Sequence, residues 1–195
     1  MYNVLLAGVG GQGTVLASRL LAVCAANRGM DAHTAETIGM AQRGGCVTSH
    51  VRLGASETPV SPLIPEGQAD LLLGFEPGEA VRALPFLKND GSVVVGTLGV
   101  TPVTASLSGS AYRAVDMLAI LDRSGFDVTR VDGEGLMAAI GNPKTYNVAL
   151  LGAAAAAGKL MFTREELCRA IDMTVPERFR TLNKNVLFIG ADHII

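Results

Sequence analysis

The sequence predicts an α/β fold, a Rossmann-like, doubly wound and mostly parallel sheet forming a single domain over residues 1–195. Short apolar runs of strand length alternate with helix-patterned segments along the chain, which is the signature of this fold class. The first of these runs, Val4-Leu5-Leu6-Ala7, feeds straight into Gly8-Val9-Gly10-Gly11-Gln12-Gly13. That is a G-x-G-x-x-G turn placed after a strand and before a helix, where such a turn belongs in a doubly wound sheet. Composition agrees: 49% of residues are hydrophobic and only 17% charged, with mean hydropathy +0.35. A chain this poor in charge either covers its sheet on both faces or gives surface to a partner.

Each element follows from its residues. Residues 4–7 read as a buried strand, and residues 14–26 as a helix that Asn27 and Gly29 can end. Residues 31–36 make a second strand, and residues 37–45 a polar, glycine-containing loop. Val47, Ser49, Val51 and Leu53 then alternate with Thr48, His50 and Arg52, the pattern of a half-covered strand. After a connection holding Pro59, Pro62 and Pro65 comes the apolar strand Asp70-Leu71-Leu72-Leu73-Gly74-Phe75. A helix over 78–87 leads to the strand Val93-Val94-Val95, and residues 97–109 form an irregular surface connection. Residues 111–124 read as a helix and 127–131 as a strand. In the last third, residues 147–157 form a helix of small apolar residues that packs closely on a neighbour. Thr163 and Glu166 complete a capping box at the start of another helix.

Several function classes are excluded. Sixteen basic and 18 acidic residues leave a net charge of −2, so nothing in the charge balance points to nucleic acid or an anionic membrane. The longest uncharged helical stretch, 148–158, is too short to span a bilayer. The start lacks the basic region of a signal peptide, so a cytoplasmic location is expected. Cys24, Cys46 and Cys168 are far apart and form no C-x-x-C pair. They cannot supply the four thiolates of an iron–sulfur cluster, nor a disulfide framework. His33, His50 and His193 lack metal-ligand spacing, so no metal site is expected. There is no G-x-S-x-G elbow and no lysine of the phosphate-loop type after the glycine turn. Asp132-Gly133-Glu134-Gly135 followed by Asn142 has only a fragment of a diphosphate-binding pattern at far too short a spacing, and reads as a turn before a helix.

The glycine turn admits more than one use. Gly8, Gly10, Gly11, Gln12 and Gly13 could face an anion, with backbone N–H groups at the positive end of the following helix. Glu36 stands where an acidic residue would hold a nucleotide ribose. A tight structural turn, or one set against a ligand held by another chain, fits the same residues. A stand-alone nucleotide-dependent dehydrogenase and a nucleotide-sensing module are therefore open alternatives.

Three further stretches narrow the choice. The glycine turn continues into Thr14-Val15-Leu16-Ala17. Glu36-Thr37-Ile38-Gly39-Met40-Ala41-Gln42-Arg43-Gly44-Gly45 leads into Val51-Arg52-Leu53. Lys144-Thr145-Tyr146-Asn147-Val148-Ala149-Leu150-Leu151-Gly152 precedes Asn185-Val186-Leu187-Phe188-Ile189-Gly190. Together they resemble the gamma subunit or domain of the 2-oxoacid:ferredoxin oxidoreductases over almost the whole chain. The loop ending Gln42-Arg43-Gly44-Gly45 is most similar to that of the small beta subunit of the indolepyruvate enzymes.

The resemblance implies oxidative decarboxylation of a 2-oxoacid to an acyl-CoA with ferredoxin as acceptor. It also implies a larger partner subunit carrying thiamine diphosphate and [4Fe–4S] clusters, with no catalytic residue and no cofactor in this chain. Gln42, Arg43, Gly44 and Gly45 then form a loop facing the partner or its active site. The Arg43 guanidinium either presents its fork to a carboxylate or phosphate there or salt-bridges within its own loop.

Overall fold

The computed structural model describes residues 1–39, 45–55, 61–101 and 112–195. Along the chain these give β1 (Tyr2–Val9), α1 (Thr14–Asn27), β2 (Ala32–Ile38), β3 (Cys46–Leu53), β4 (Ala69–Gly74), α2 (Pro77–Ala83), β5 (Leu87–Gly96), α3 (Ala114–Arg123), β6 (Asp127–Val131), α4 (Gly133–Ile140), α5 (Tyr146–Ala156), α6 (Arg164–Thr174) and α7 (Glu177–Ile189). The strands make one sheet in the order β2-β3-β1-β4-β5-β6. Strands β1, β4, β5 and β6 pair in parallel, whereas β3 runs antiparallel to both β1 and β2.

The apolar runs of β1, β4 and β5 are continuous because both faces of the sheet are covered. Val4, Leu6, Leu71, Leu73 and Val94 join a core formed with α1, α4, α5, α6 and α7. Leu5, Leu72, Val93 and Val95 point the other way, into a smaller core with α2, α3 and Ile64. The sheet is therefore doubly wound and mostly parallel, as its sequence predicts. At the far edge, β6 is closed off by the chain end, where Ile195 N–H donates to Arg130 O (3.0 Å) and Asp132 N–H to His193 O (2.8 Å).

Three expectations are corrected. The helix expected over 78–87 stops at Ala83 and passes through a single 3₁₀ turn, Leu84–Phe86, because Pro85 cannot continue an α-helical ladder. Strand β5 is ten residues long and starts at Leu87. Its register shifts where it meets Ala69 and Leu71 of β4, and the polar stretch Lys88-Asn89-Asp90 conceals its first half. The helix expected from residue 111 begins at Ala114.

Two contacts tie the helical layer together. The capping box of α6 is complete: Glu166 N–H donates to Thr163 Oγ1 (3.3 Å) and Thr163 N–H to Glu166 Oε2 (2.8 Å). The same carboxylate receives Arg28, at the end of α1, through Nε (2.6 Å) and Nη2 (2.7 Å). Helices α5 and α7 approach until their backbones touch. A Cβ at Gly152 would lie 1.7 Å from Leu187 O, and one at Gly190 would lie 1.9 Å from Ala149 O. That close crossing is why α5 carries Ala149 and Gly152 on the face that meets α7.

Candidate functional site

The chain leaves β1 and β4 toward opposite faces, through α1 and α2, so the crevice between their carboxyl ends is the topological switch point. The glycine turn lies here, and its polar groups are largely occupied within the protein. Gln12 folds back over the turn. Its Oε1 accepts from Val9 N–H (2.8 Å) and its Nε2 donates to Phe75 O at the end of β4 (3.1 Å). Gly10 N–H donates to Gly45 O (2.8 Å) and Gln12 N–H to Val9 O (3.1 Å). Gly13 takes a left-handed conformation (φ 78°) as N-cap of α1, and its carbonyl accepts from Asn147 Nδ2 (2.9 Å). A Cβ on Gly13 would sit 2.6 Å from that nitrogen.

Glu36 lies apart from this turn. In a dinucleotide fold the strand bearing the acidic residue is the neighbour of β1. Here β3 is inserted between them, which sets Glu36 about 10 Å of sheet away, two strand spacings. Its Oε1 accepts from Ser18 Oγ on α1 (3.1 Å). The start of β3 fills the intervening place, with Cys46 opposite Val9.

On the β4 side of the crevice stands a residue that sequence reasoning missed. Glu76 is buried and caps α2, accepting from Glu79 N–H (3.0 Å), Val100 N–H (3.3 Å) and the Tyr112 hydroxyl. The Tyr112 oxygen in turn accepts from Gly78 N–H (3.2 Å). Pro77 at the first helical position is a legible sign of the helix start, but Glu76, outside the usual cap residues, and Tyr112 carry no comparable signal. Tyr146, also unforeseen, presses onto the end of β5, where a Cβ on Gly96 would lie 1.9 Å from its hydroxyl. Burial pushes that phenol well above its ordinary value.

The thiols and imidazoles do not converge. Cys24 is in the core on α1, Cys46 starts β3 and Cys168 lies on α6. Burial raises all three thiols, Cys24 to about 12, so they stay protonated and weakly nucleophilic at neutral pH. His50 accepts at Nδ1 from Ile64 N–H (3.1 Å) and meets Phe86 edge-on, so it serves packing. Among the described residues no three His, Cys, Asp or Glu side chains are placed to share a metal ion. Asp132 and Gly133 are engaged at the start of α4, where Gly133 N–H donates to Thr97 Oγ1 (2.9 Å). Among the described residues no helix is long and apolar enough to cross a membrane.

Around the helix beginnings the surface changes character. The N-terminal turns of α1, α5 and α7 enclose a cleft of about 260 Å³, walled chiefly by Leu16, Val175, Pro176, Phe179 and Leu182. Lys144 and Asn183 supply polar groups there. Val15 and Phe179 are large apolar residues left 45% and 43% exposed. Of the loop singled out in the sequence, Gly45 lies beside Gly10 at this edge, and Gln42, Arg43 and Gly44 lie outside the described residues.

Comparison with known proteins places these features. Residues 3–191 match the family model described as pyruvate ferredoxin/flavodoxin oxidoreductase. An indolepyruvate oxidoreductase subunit IorB of Thermococcus kodakarensis is 34% identical over 192 residues, 97% of this chain and 94% of the relative. Among solved structures, the gamma subunit of a keto/oxoacid ferredoxin oxidoreductase from Geobacter sulfurreducens superposes with a TM-score of 0.68 at 23% identity, covering 99% of this chain and 98% of the other. A 2-oxoglutarate:ferredoxin oxidoreductase from Magnetococcus marinus gives 0.71 at 15% identity, with 98% of this chain covering 30% of that longer one. At these identities the two structures speak for the fold alone.

Proposed function

This chain belongs to the pyruvate ferredoxin/flavodoxin oxidoreductase family, and from that premise we propose that it is the small, non-catalytic subunit of a 2-oxoacid:ferredoxin oxidoreductase acting on indolepyruvate or another aryl pyruvate. The observation that carries the reading is the near-full-length likeness to an indolepyruvate oxidoreductase subunit. In this reading thiamine diphosphate on the larger subunit supplies carbanion stabilisation, and [4Fe–4S] clusters there pass electrons to ferredoxin. CoA takes up the acyl group at the level of the complex.

The residues of this chain support that division. Three thiols on three separate elements, all raised by burial, do not fit a cluster that typically needs about four thiolates. The Asp132-Gly133 turn is engaged in starting a helix and does not fit a diphosphate. What the chain offers is a shaped edge: a glycine turn held by Gln12 and Asn147, in which the N–H groups of Gly11 and Gly13 have no backbone partner among the described residues. Through those N–H groups Gly11 and Gly13 would meet an anion of the partner's site. Gly39 and Gly45, which flank Gln42, Arg43 and Gly44 in sequence, both lie at this edge, bonded to Cys46 O and Gly10 N–H respectively (2.8 Å each). Arg43 then serves to meet a carboxylate of the partner, or an anionic group of the substrate or cofactor.

The test is anaerobic purification of the chain alone and with the larger subunit, followed by viologen reduction with indolepyruvate and CoA. Turnover is expected from the complex and not from the single chain. Turnover by the single chain, or saturable NADH-linked activity from it, overturns the reading.

A further inference from the structure

We propose that the cleft between the first turns of α1, α5 and α7 is a socket for a polypeptide segment of the larger subunit. An apolar side chain fills the cavity, a carboxylate meets Lys144, and a backbone N–H meets Asn183. The inference rests on the proposed function for the existence of that subunit, and on the cleft itself for where it docks.

Size decides first against a whole small molecule. At about 260 Å³ the cavity falls below the roughly 300–1,000 Å³ typical of sites that enclose a cofactor or drug-sized ligand. It suits instead one large anchoring side chain, the kind that dominates protein interfaces when set in an apolar pocket. The apolar wall is open to solvent, since Phe179 stands 43% exposed.

The polar groups specify what accompanies that anchor. Asn183 is 6% exposed, and its Nδ2 donates to Phe179 O (2.9 Å). Asn183 lines the cleft, where its carbonyl oxygen can accept from a donor such as the main-chain N–H of an extended segment. Charge points to an acidic companion. Three helices begin at this cleft, and helix beginnings carry partial positive charge. Lys144 stands at the wall, Arg180 donates from Nε to Val175 O (2.9 Å), and Arg178 lies 4.7 Å over the Phe179 ring. Against these three cations the cleft-forming turns carry one carboxylate, that of Glu177. A segment pairing an aromatic or branched apolar residue with a nearby Asp or Glu is complementary on both counts.

The experiment measures binding of the purified chain to the immobilised larger subunit from the same source organism, under anaerobic conditions, for wild type, Phe179→Ala and Lys144→Glu. Thermal melting of each single chain serves as the fold control. Lys144 is exposed, so Lys144→Glu should melt within about 2 °C of wild type, while Phe179→Ala should still melt cooperatively at a somewhat lower temperature. Each variant should bind at least tenfold more weakly, and the Lys144→Glu effect should shrink as salt is raised. Variants that fold and bind the larger subunit as well as wild type overturn the socket while leaving the proposed function intact. Undiminished assembly with a raised KM for CoA or the 2-oxoacid overturns it too, because the cleft would then be a small-molecule site. If wild type itself does not bind the larger subunit, the socket and the proposed function fall together.

Discussion

Replacing Gln12 by alanine separates a structural glycine turn from a ligand-binding one. The side chain makes two bonds, from Val9 N–H and to Phe75 O. Val9 is buried, so its amide loses its partner where water reaches it poorly, at about 1–3 kcal/mol. The second bond adds about 0.5–1.5 kcal/mol. Against these, the half-buried Gln12 recovers roughly 1 kcal/mol of side-chain entropy when truncated. The net expectation is a loss of about 2 kcal/mol. For a chain of this size that lowers Tm by about 4–8 °C, readable by circular dichroism. Gln12→Met keeps the length and removes both bonds, so it should lose most of the same stability. Neither the wild-type chain nor either variant should bind NADH or NADPH in calorimetric titration. Variants melting within about 0.5 kcal/mol of wild type would refute the brace, and micromolar nucleotide binding would restore the dinucleotide reading of the turn.

Other perturbations reach other links of the argument. Gly152→Ala, ordinarily favourable inside a helix by about 1 kcal/mol, should here cost about 3 kcal/mol, because its Cβ meets the Leu187 carbonyl and the two helix backbones must part. A melt unchanged or raised would contradict the close crossing. Stability should fall in two steps on acidification. Burial lowers the His50 pKa from 6.5, so the unfolded chain takes up that proton first and stability declines as pH drops below about 7. Arg28 holds Glu166 at about 2 against an ordinary 4.5, so its contribution is complete above about pH 4.5 and is lost as pH falls toward 2. Glu166→Gln should abolish that second step in a pH series of melts. Arg43→Ala should leave melting unchanged and weaken assembly or turnover by about 1–3 kcal/mol, with Arg43→Lys restoring only part. A large drop in Tm with normal assembly would make Arg43 structural.

Much of the fold was legible because strands covered on both faces are written as unbroken apolar runs, as in β1, β4 and the second half of β5. The alternation of β3 was legible as well, but its insertion between β1 and β2 was not. Strand order is settled by pairing across the sheet, and local periodicity carries no record of it. The antiparallel β3 and the polar first half of β5 were hidden for that reason and by Lys88-Asn89-Asp90 respectively. The candidate site divides the same way. The glycine turn could be read directly. Its braces could not, since Gln12 reaches Phe75 across 63 residues and Asn147 reaches Gly13 across 134.

Those distant partners change what the motif reports. Gly8 leaves room for the Gln12 side chain, which a Cβ would approach to 2.7 Å, and Gly13 leaves room for Asn147. Gly10 brings its N–H onto the carbonyl of Gly45, and Gly11 turns the chain at φ 101°. Gly8, Gly11 and Gly13 therefore each have an internal neighbour or a backbone angle that favours glycine, without a nucleotide. The inserted β3 acts in the same sense, since it moves Glu36 away and sets Cys46 beside the turn. A pattern that elsewhere marks a pyrophosphate site is here accounted for by fastening β1, β4 and α5 to one another. The chemistry of this edge then has to come from groups not engaged in that fastening, among the described residues Lys144 and the exposed apolar side chains around the cleft. An exposed cation beside exposed apolar side chains suits contact with another protein chain better than enclosure of a small molecule.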